Sequence, residues 1–136
     1  MSNKNSDYVK KEYPLSGFTG RIIAAAQQVH RELGPGYEER IYQRALALEL
    51  PAHGLDFSRE VWIDVLYKGQ KVGRKRVDFI IEEVLAELKA KAEIEAVAII
   101  QTLSYLKASG FHVGLLLNFG SKSLEIKRLI NTSQEE

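Results

Sequence analysis

The stretch VDFIIEEVLAELK, residues 77–89, decides the fold of this chain. Two runs rich in β-branched and apolar residues flank the pair Glu82-Glu83, which predicts two antiparallel strands joined by a short turn. The turn lacks the Asn-Gly or Asp-Gly sequence that tight hairpins prefer. It nevertheless places Asp78 directly opposite Glu87. Lys89 shares a strand face with Glu87, because alternate residues of a strand point the same way.

This arrangement of two acids and a lysine has two interpretations. Adjacent carboxylates repel each other and raise each other's pKa unless a cation lies between them, and Mg²⁺ prefers such oxygen ligands. Lys89 would then hold or polarise a water beside the metal. Alternatively, Asp78 and Glu87 form a solvated cross-strand pair, with Lys89 in a surface salt bridge. The spacing of these residues leaves both interpretations open.

The chain before this hairpin predicts two helices. From Phe18, apolar side chains recur three or four residues apart, at Ile22, Ala26, Val29 and Leu33. Gly34-Pro35-Gly36 ends that helix, because glycine takes the left-handed cap and proline cannot continue it. A second helix begins between Tyr37 and Glu39 and runs to about Leu50. Its predicted buried residues are Ile41, Ala45 and Leu48, with Leu46 as a further candidate.

The remaining elements complete an α/β pattern. The predicted strands are 61–67, 72–81 and 84–89, followed by a helix over 94–108, a buried central strand over 112–118 and an edge strand over 124–130. This order predicts a mixed β-sheet flanked by helices. We expect one domain over residues 15–132, preceded by a flexible N-terminal arm, residues 1–14.

Composition excludes several classes of protein. The formal charge of +1 excludes a histone-like, purely electrostatic DNA binder, but not a nuclease whose acidic centre is offset by a basic rim. The absence of cysteine excludes disulfides and cysteine-based zinc sites. The sequence contains neither a secretion signal nor a run of apolar residues long enough to cross a membrane. We therefore expect a cytoplasmic protein with no membrane partner.

Several motifs carry a resemblance to a known family. The segment GYEERIY, residues 36–42, matches the pattern that gives the GxxExxY family its name, and the preceding VHRELGP, residues 29–35, is similar to the usual lead-in of that family. Asp78 followed by Glu87-Leu88-Lys89 matches the signature of the PD-(D/E)XK nuclease superfamily, to which the GxxExxY family belongs. The likeness extends over nearly the whole chain from about residue 18 to 130.

The resemblance implies a restriction-endonuclease-like fold and a role for Glu39. An acid on the first core helix completes the metal site in many members of the superfamily, and Glu39 occupies that place. Alternatively, Glu39 only caps or charges the start of its helix, where the helix dipole favours a negative side chain. Tyr42 lies on the same helical face and is expected to pack beside the site.

Gln101 and Tyr105 resemble the Q-x-x-x-Y motif that follows the lysine in RecB-like nucleases. Gln101 interrupts a helix that is apolar on most sides, which predicts a buried amide that needs partners. A water, the lysine, a DNA phosphate or a backbone carbonyl could satisfy it. The basic residues before Asp78, including Lys75 and Arg76, either contact nucleic-acid phosphates or form a solvated face.

Together these features predict a Mg²⁺-dependent nuclease acting on DNA, with Mn²⁺ as an alternative ion. The expected catalytic residues are Asp78, Glu87, Lys89 and Gln101. The expected metal ligands are Asp78, Glu87 and Glu39, and the expected nucleic-acid contacts are Tyr105, Lys75 and Arg76. A catalytically silent nucleic-acid- or protein-binding module is the alternative, and RNA or a nucleotide is an alternative substrate. Because a domain of this size has little surface for sequence readout, a homodimer is a further expectation.

Overall fold

The computed structural model describes residues 15–132, and the predicted N-terminal arm, residues 1–14, lies outside the described residues. Residues 15–132 form three α-helices and five β-strands. The helices are α1 (Ser16–Leu33), α2 (Glu39–Glu49) and α3 (Ala96–Ser109), and a 3₁₀ turn over Leu50–His53 follows α2. The strands are β1 (Phe57–Tyr67), β2 (Gln70–Ile81), β3 (Val84–Lys89), β4 (Val113–Asn118) and β5 (Glu125–Ile130).

The five strands form one mixed sheet in the order β1-β2-β3-β4-β5. Neighbouring strands are antiparallel except β3 and β4, which are parallel and are connected through α3. A parallel pair needs such a long crossover, and the helix supplies it. The α/β, restriction-endonuclease-like fold expected from the sequence is therefore confirmed, with β4 inside the sheet and β5 at its edge.

The sheet has a hydrophobic core on each face. On the side of α1 and α2, alternate residues of the two central strands are fully buried: Val84, Ala86 and Leu88 of β3, and Val113, Leu115 and Leu117 of β4. The α1 residues Ile22, Ile23 and Val29 pack against them, each contributing about 1.5–3 kcal/mol through burial. A smaller cluster containing Leu85 and Leu106 lies on the side of α3. The site described below lies where β2 leaves the edge of β3, with α2 on one side and α3 on the other.

The buried face of α2 differs from the one expected. Tyr42, Leu46 and Leu50 are fully buried, whereas Leu48 is 84% exposed. Ile41 and Ala45 are only partly buried, so the prediction for this helix was displaced by one residue. Tyr42 can enter the core because its hydroxyl has partners, which a buried phenol requires.

The partners of Tyr42 fix the segment before α2. Its hydroxyl donates to the carbonyl oxygen of Gly34 and accepts the N–H of Tyr37 at 3.2 Å. Its ring stacks on Phe119, with the ring centroids 4.8 Å apart. Tyr42 thus joins both ends of the 34–37 segment to the core and sets where Glu39 begins the helix.

The hairpin quoted at the outset has the register predicted from its sequence. Phe79 pairs with Ala86 and Ile81 with Val84 around the Glu82-Glu83 turn. Glu82 has a φ of 54°, an uncommon conformation for a residue other than glycine. Its N–H donates to the Asp56 carbonyl at 3.0 Å, and its carboxylate accepts the Asp56 N–H at 2.8 Å. These two bonds hold the turn without the usual glycine.

Strands β1 and β2 extend well beyond the rest of the sheet. They pair with each other from Phe57↔Ile81 to Tyr67↔Gln70, so β1 begins at Phe57 rather than at Val61. Strand β2 pairs with β3 only through Phe79, Ile80 and Ile81. Residues 61–77 therefore project as a two-stranded hairpin, called here the β1–β2 ribbon.

Candidate active site

Asp78 and Glu87 meet where β2 leaves the sheet. The β2–β3 ladder has its last pair at Phe79↔Ala86. One residue further, the N–H of Asp78 donates to Glu87 Oε2 at 3.1 Å, and Asp78 Oδ2 accepts the N–H of Leu88 at 2.8 Å. The Asp78 carboxylate thus takes the place that a backbone carbonyl would hold if the ladder continued. The contact between the two acids predicted from the register is present.

The path of β2 explains why Asp78 points toward β3. Val77 packs in the core on the α3 side, whereas Phe79 packs in the core on the α1 side. Residues two apart normally share a strand face, so the strand turns over between them. The residue opposite Asp78 is Glu60, which has a φ of 53°. A strained residue facing the site is typical of positions that orient functional side chains.

Glu87 is an acid held away from water. Its residue is 8% exposed. The pKa of Glu87 is raised to about 9, first by burial and then by the hydrogen bond with the Asp78 side chain and the negative charge of Asp78, while the Asp78 N–H and the charge of Lys89 act in the opposite direction. At neutral pH and without a cation, the Asp78–Glu87 pair therefore retains a proton. This is the electrostatic situation that a bound cation relieves.

Glu39 lies near this pair, at the first residue of α2. Although the residue is exposed, desolvation of its carboxyl group raises the pKa of Glu39, and the charge of Asp78 adds to this. The positive charges of Lys89 and Lys91 act in the opposite direction. The N-cap position is Glu38, which makes no side-chain capping hydrogen bond. Glu39 thus lies in the first turn of α2, where the helix dipole favours its charge, and is also within electrostatic range of Asp78 and Lys89.

Asp78, Glu87 and Glu39 are the candidate metal ligands. Within residues 15–132, no three carboxylate or histidine side chains converge as a complete metal cage. Mg²⁺ is usually held by only one or two carboxylates, with waters and substrate phosphates completing its shell. Asp78 and Glu87, in contact and needing a positive neighbour, fit such a cation, and Glu39 is the nearest further acid on α2.

Lys89, Gln101 and Tyr105 lie around the same acids. Lys89 and Gln101 line a cavity of about 210 Å³ together with Lys91 and the start of α3. Tyr105 is buried, and its pKa is raised by burial first and then by the charges of Glu87 and Asp78. The structure therefore brings Lys89 and Tyr105 within electrostatic range of Asp78 and Glu87, and it places Gln101 beside Lys89 at a cavity whose lining includes neither acid.

The expectation of a buried Gln101 amide was wrong. Gln101 is exposed, because α3 turns Ala98, Thr102 and Leu106 toward the sheet instead. Val97 and Ile100 are also exposed, at 66% and 63%. A helix that is apolar on most sides carries no clear phase in its sequence. The side chain of Gln101 instead faces the cavity beside Lys89.

Gln43 is a site residue that the sequence did not predict. Its Nε2 donates to Asp78 Oδ1 at 3.2 Å, so the amide holds one oxygen of the carboxylate while Leu88 holds the other. Gln43 lies one turn beyond Glu39 on the same face of α2. That spacing is the signal that could have identified it.

Lys91 and Asn118 were also missed. Lys91 follows Lys89 by two residues, lines the same cavity, and lies 3.5 Å from Glu95. Asn118 is fully buried; its Oδ1 accepts the Lys91 N–H at 2.9 Å, and its Nδ2 donates to the Lys91 carbonyl at 2.9 Å. Gly120 lies against this segment so closely that a Cβ there would come within 2.3 Å of the Lys91 nitrogen. Asn118 and Gly120 thus fix the backbone that follows Lys89.

Lys75 and Arg76 are exposed on the β1–β2 ribbon, just before Asp78. Lys75 pairs with Ile63, and Arg76 pairs with Trp62. Because neighbouring residues of a strand point to opposite faces, the two cations project from opposite sides of the ribbon.

A larger cavity of about 660 Å³ lies elsewhere, between α1 and the loop after β4. It is lined by His30 and His53 among others, and contains none of the predicted site residues. His53 is paired with Glu49 at 2.9 Å, and Nε2 of His30 lies 2.9 Å from the Ser121 carbonyl oxygen. The paired acids and the lysine, not this larger cavity, identify the candidate site.

Comparison with known proteins places the chain in a family. The model of the PD-(D/E)XK nuclease superfamily matches residues 16–129. The chain therefore belongs to the PD-(D/E)XK nuclease superfamily. A comparison with curated proteins found no match, and neither did a comparison with solved structures. Among residues 15–132, no helix is both long enough and apolar enough to span a membrane.

Proposed function

We propose that this protein is a divalent-metal-dependent nuclease of the GxxExxY family that hydrolyses phosphodiester bonds in DNA. The observation that carries the proposal is the contact of Asp78 with the buried Glu87, beside Lys89, in a chain of a nuclease superfamily. Keeping two acids together out of water is unfavourable for folding alone. A function that uses their combined negative charge accounts for it.

The proposed metal ligands are Asp78, Glu87 and Glu39. A bound Mg²⁺ or Mn²⁺ supplies an acidified water and neutralises the charge that develops on the phosphate. Asp78 is held for this role from two sides, because Gln43 and the Leu88 N–H bond its two oxygens. Glu39 joins from α2, where the nearby charges of Asp78, Lys89 and Lys91 already act on it.

Lys89 and Gln101 act on the nucleophile and the substrate. From the edge of the 210 Å³ cavity, the Lys89 ammonium holds the attacking water and stabilises negative charge on the phosphate. The Gln101 amide, which lines the same cavity, orients that water or the scissile phosphate through its donor and acceptor atoms. Positioning of this kind is the main contribution that a protein makes to phosphoryl chemistry.

Tyr105, Lys75 and Arg76 are the proposed contacts to nucleic acid. Tyr105 lies within reach of the charges of Glu87 and Asp78 and borders the site from α3. Lys75 and Arg76 precede Asp78 on β2 and offer positive charge next to the acidic pair. The homodimer and the cytoplasmic location expected from the sequence stay predictions.

The test compares purified protein with its Asp78→Ala and Lys89→Ala variants on labelled single-stranded DNA, duplex DNA and RNA, with Mg²⁺ or Mn²⁺. Cleavage by the unchanged protein should be abolished by chelation and reduced at least about a hundredfold in both variants. Lys107→Ala, which removes an exposed charge from the far end of α3, is the matched control and should cleave normally.

Equal cleavage by the unchanged protein and both variants would indicate a contaminant and contradict the proposal. No cleavage by any form, together with retained affinity for DNA, would favour a catalytically silent binding module. Cleavage of RNA alone would keep the chemistry and change the substrate. Thermal melting of each variant establishes that the fold is retained.

A further inference from the structure

The β1–β2 ribbon carries the single tryptophan of the chain at an exposed position. Trp62 is 50% exposed on a strand that projects beyond β3. It packs on neither of the two hydrophobic cores. A large aromatic ring in such a position does not stabilise the core. Its contacts are with neighbouring side chains of the ribbon.

Those neighbours are two arginines on the same face. The Arg74 guanidinium carbon lies 4.0 Å from the centroid of the Trp62 ring, and that of Arg76 lies 5.6 Å from it. Strand pairing places Arg76 directly opposite Trp62 and Arg74 one step along, opposite Asp64. Tryptophan is the best aromatic partner for a cation over its face. Trp62 therefore holds two positive charges together on the exposed face of the ribbon.

A stacked guanidinium remains able to bind an anion. Its N–H donors lie in the guanidinium plane, so stacking on an indole restricts the side chain without consuming those donors. Among residues 15–132, no acidic side chain lies within 4 Å of the Arg74 guanidinium. Asp64 instead pairs with Lys71 at 3.2 Å, and Glu60 lies 3.8 Å from Arg76, beyond hydrogen-bond length. The donors of Arg74 thus stay open to a phosphate, the anion that matches their geometry.

The position of these arginines relative to the site suggests which phosphate they meet. Arg76 precedes Asp78 by two residues and Arg74 by four. At a rise of about 3.3 Å per residue, they lie roughly 7 Å and 13 Å along β2 from Asp78. A strand of nucleic acid that leaves the acidic pair along the ribbon therefore meets first one guanidinium and then the other.

We propose that Trp62, Arg74 and Arg76 form a backbone-phosphate grip for nucleic acid on the ribbon, beyond the bond that is cut. Arg74 and Arg76 contact successive phosphates, and Trp62 is a positioning residue that keeps both guanidinium groups in place. The grip adds a contact outside the catalytic centre and rests on the proposed nuclease function for its substrate. It contacts phosphates rather than bases, so it carries no sequence preference of its own.

The grip predicts that an uncharged residue controls an electrostatic interaction. Binding of labelled single-stranded and duplex oligonucleotides is measured by fluorescence anisotropy in EDTA, where no cleavage occurs, across a range of salt concentrations. Arg74→Ala should weaken binding roughly tenfold. It should also reduce the slope of log K against log salt by about 0.7–0.9, one phosphate contact. Trp62→Ala should weaken binding as well, although it removes no charge, while Trp62→Phe retains most of the affinity.

Two further variants test whether the loss of nucleic-acid binding is specific to the grip. Lys127→Ala removes an exposed charge from β5, at the opposite edge of the sheet, and should bind as the unchanged protein does. The double variant Trp62→Ala/Arg74→Ala should lose less than the sum of the two single losses, because Trp62 acts through Arg74. Thermal melting verifies that every variant is folded. Because Trp62 is exposed, its replacement should leave the core intact.

Three results would each overturn the grip. They are unchanged affinity in Trp62→Ala, equal effects of Arg74→Ala and Lys127→Ala, and no binding of nucleic acid by the unchanged protein. The nuclease proposal fails separately, if Asp78→Ala cleaves as well as the unchanged protein. Because affinity is read in EDTA, a Trp62-dependent loss of binding would support the grip even in that case. Conversely, metal-dependent cleavage with Trp62-independent binding would remove the grip and leave the nuclease in place.

Discussion

Two buried polar groups lie at the ends of neighbouring central strands, and they are built in opposite ways. At the end of β4, Asn118 offers a neutral amide whose donor and acceptor atoms all find complementary partners in Lys91, Gly120 and Glu125. Near the end of β3, Glu87 meets another acid, Asp78. The first arrangement stabilises the fold as it stands, whereas the second becomes favourable only with an added positive charge. This contrast separates a polar group that stabilises the fold from one that is proposed to bind a cation.

The contrast should be greatest in the dependence of stability on pH. The pKa of Glu87 is about 9 in the folded protein, against an ordinary value of 4.5 for a glutamate. For an acid with a raised pKa, the destabilisation is absent below the unfolded pKa and grows as the pH rises toward the folded pKa. In EDTA, the free energy of unfolding should fall between pH 5 and 9, by at most about 1.4 kcal/mol per pH unit. Glu87→Gln should remove most of this fall.

Urea denaturation at pH 5, 7 and 9 measures this difference. Glu93→Gln is the matched control, because Glu93 is an exposed acid that lines the cavity beside Lys89, and this variant should follow the unchanged protein. Parallel pH curves for Glu87→Gln and the unchanged protein would show that the acidic pair is not strained. Glu87 would then be accommodated in the folded protein as well as Asn118 is.

Asn118→Ala should have the next largest effect, and one with no pH dependence of its own. The change leaves the N–H and carbonyl of Lys91 without their partners and frees Glu125 from a 2.7 Å hydrogen bond. We expect a loss of about 2–3 kcal/mol in the free energy of unfolding at every pH. Urea denaturation measures it, with Ser104→Ala, which removes an exposed hydroxyl bonded to Ile100, as control. A loss below about 0.5 kcal/mol would mean that water replaces the Asn118 amide.

Gln43→Ala should have the smallest effect on stability and act on metal binding instead. The amide bonds Asp78 Oδ1 and so orients a proposed ligand without itself contacting the ion. Losing such a partner typically weakens metal affinity by about tenfold or more. Calorimetric titration with Mn²⁺ measures the change, and Arg44→Ala, at the next, exposed residue of α2, is the control. Unchanged affinity would reduce Gln43 to a packing residue.

The sequence was most informative where contacts are local. Asp78 and Glu87 are joined by a single turn, so their meeting depended only on the pairing of adjacent strands, and the predicted register was correct. The almost wholly apolar run before Asn118 likewise predicted a buried central strand, as β4 is. Such patterns survive folding because strand faces are fixed by a period of two residues.

The predicted buried faces were wrong in helices whose apolar residues do not define a single face. In α2, Ile41 and Leu48 suggested one face, but the hydroxyl partners of Tyr42 allow a tyrosine to be buried in the other. In α3, apolar residues on most sides concealed that Val97 and Ile100 are exposed beside Gln101. The partners of a side chain decide these cases, and they come from distant parts of the chain.

Gln43 was missed for a different reason: its spacing from Glu39 indicates a shared face of α2, but not which side chain that face contacts. Its contact with Asp78 exists because β2 turns over opposite Glu60 and leaves the edge of β3 facing α2. No periodic pattern encodes that departure. The same departure leaves Lys89 and Lys91 beside an open cavity rather than under a continuous sheet.

The hydrogen bond from Leu88 to Asp78 also bears on how this sheet avoids unwanted partners. Past Phe79, the margin of β3 that faces β2 has no strand beside it, and bare margins of this kind invite extended segments from other chains. The Asp78 carboxylate occupies the Leu88 N–H and places a negative charge at the gap. One side chain therefore occupies a free N–H of this edge and adds a charge beside it, and both features oppose pairing with a strand of another chain.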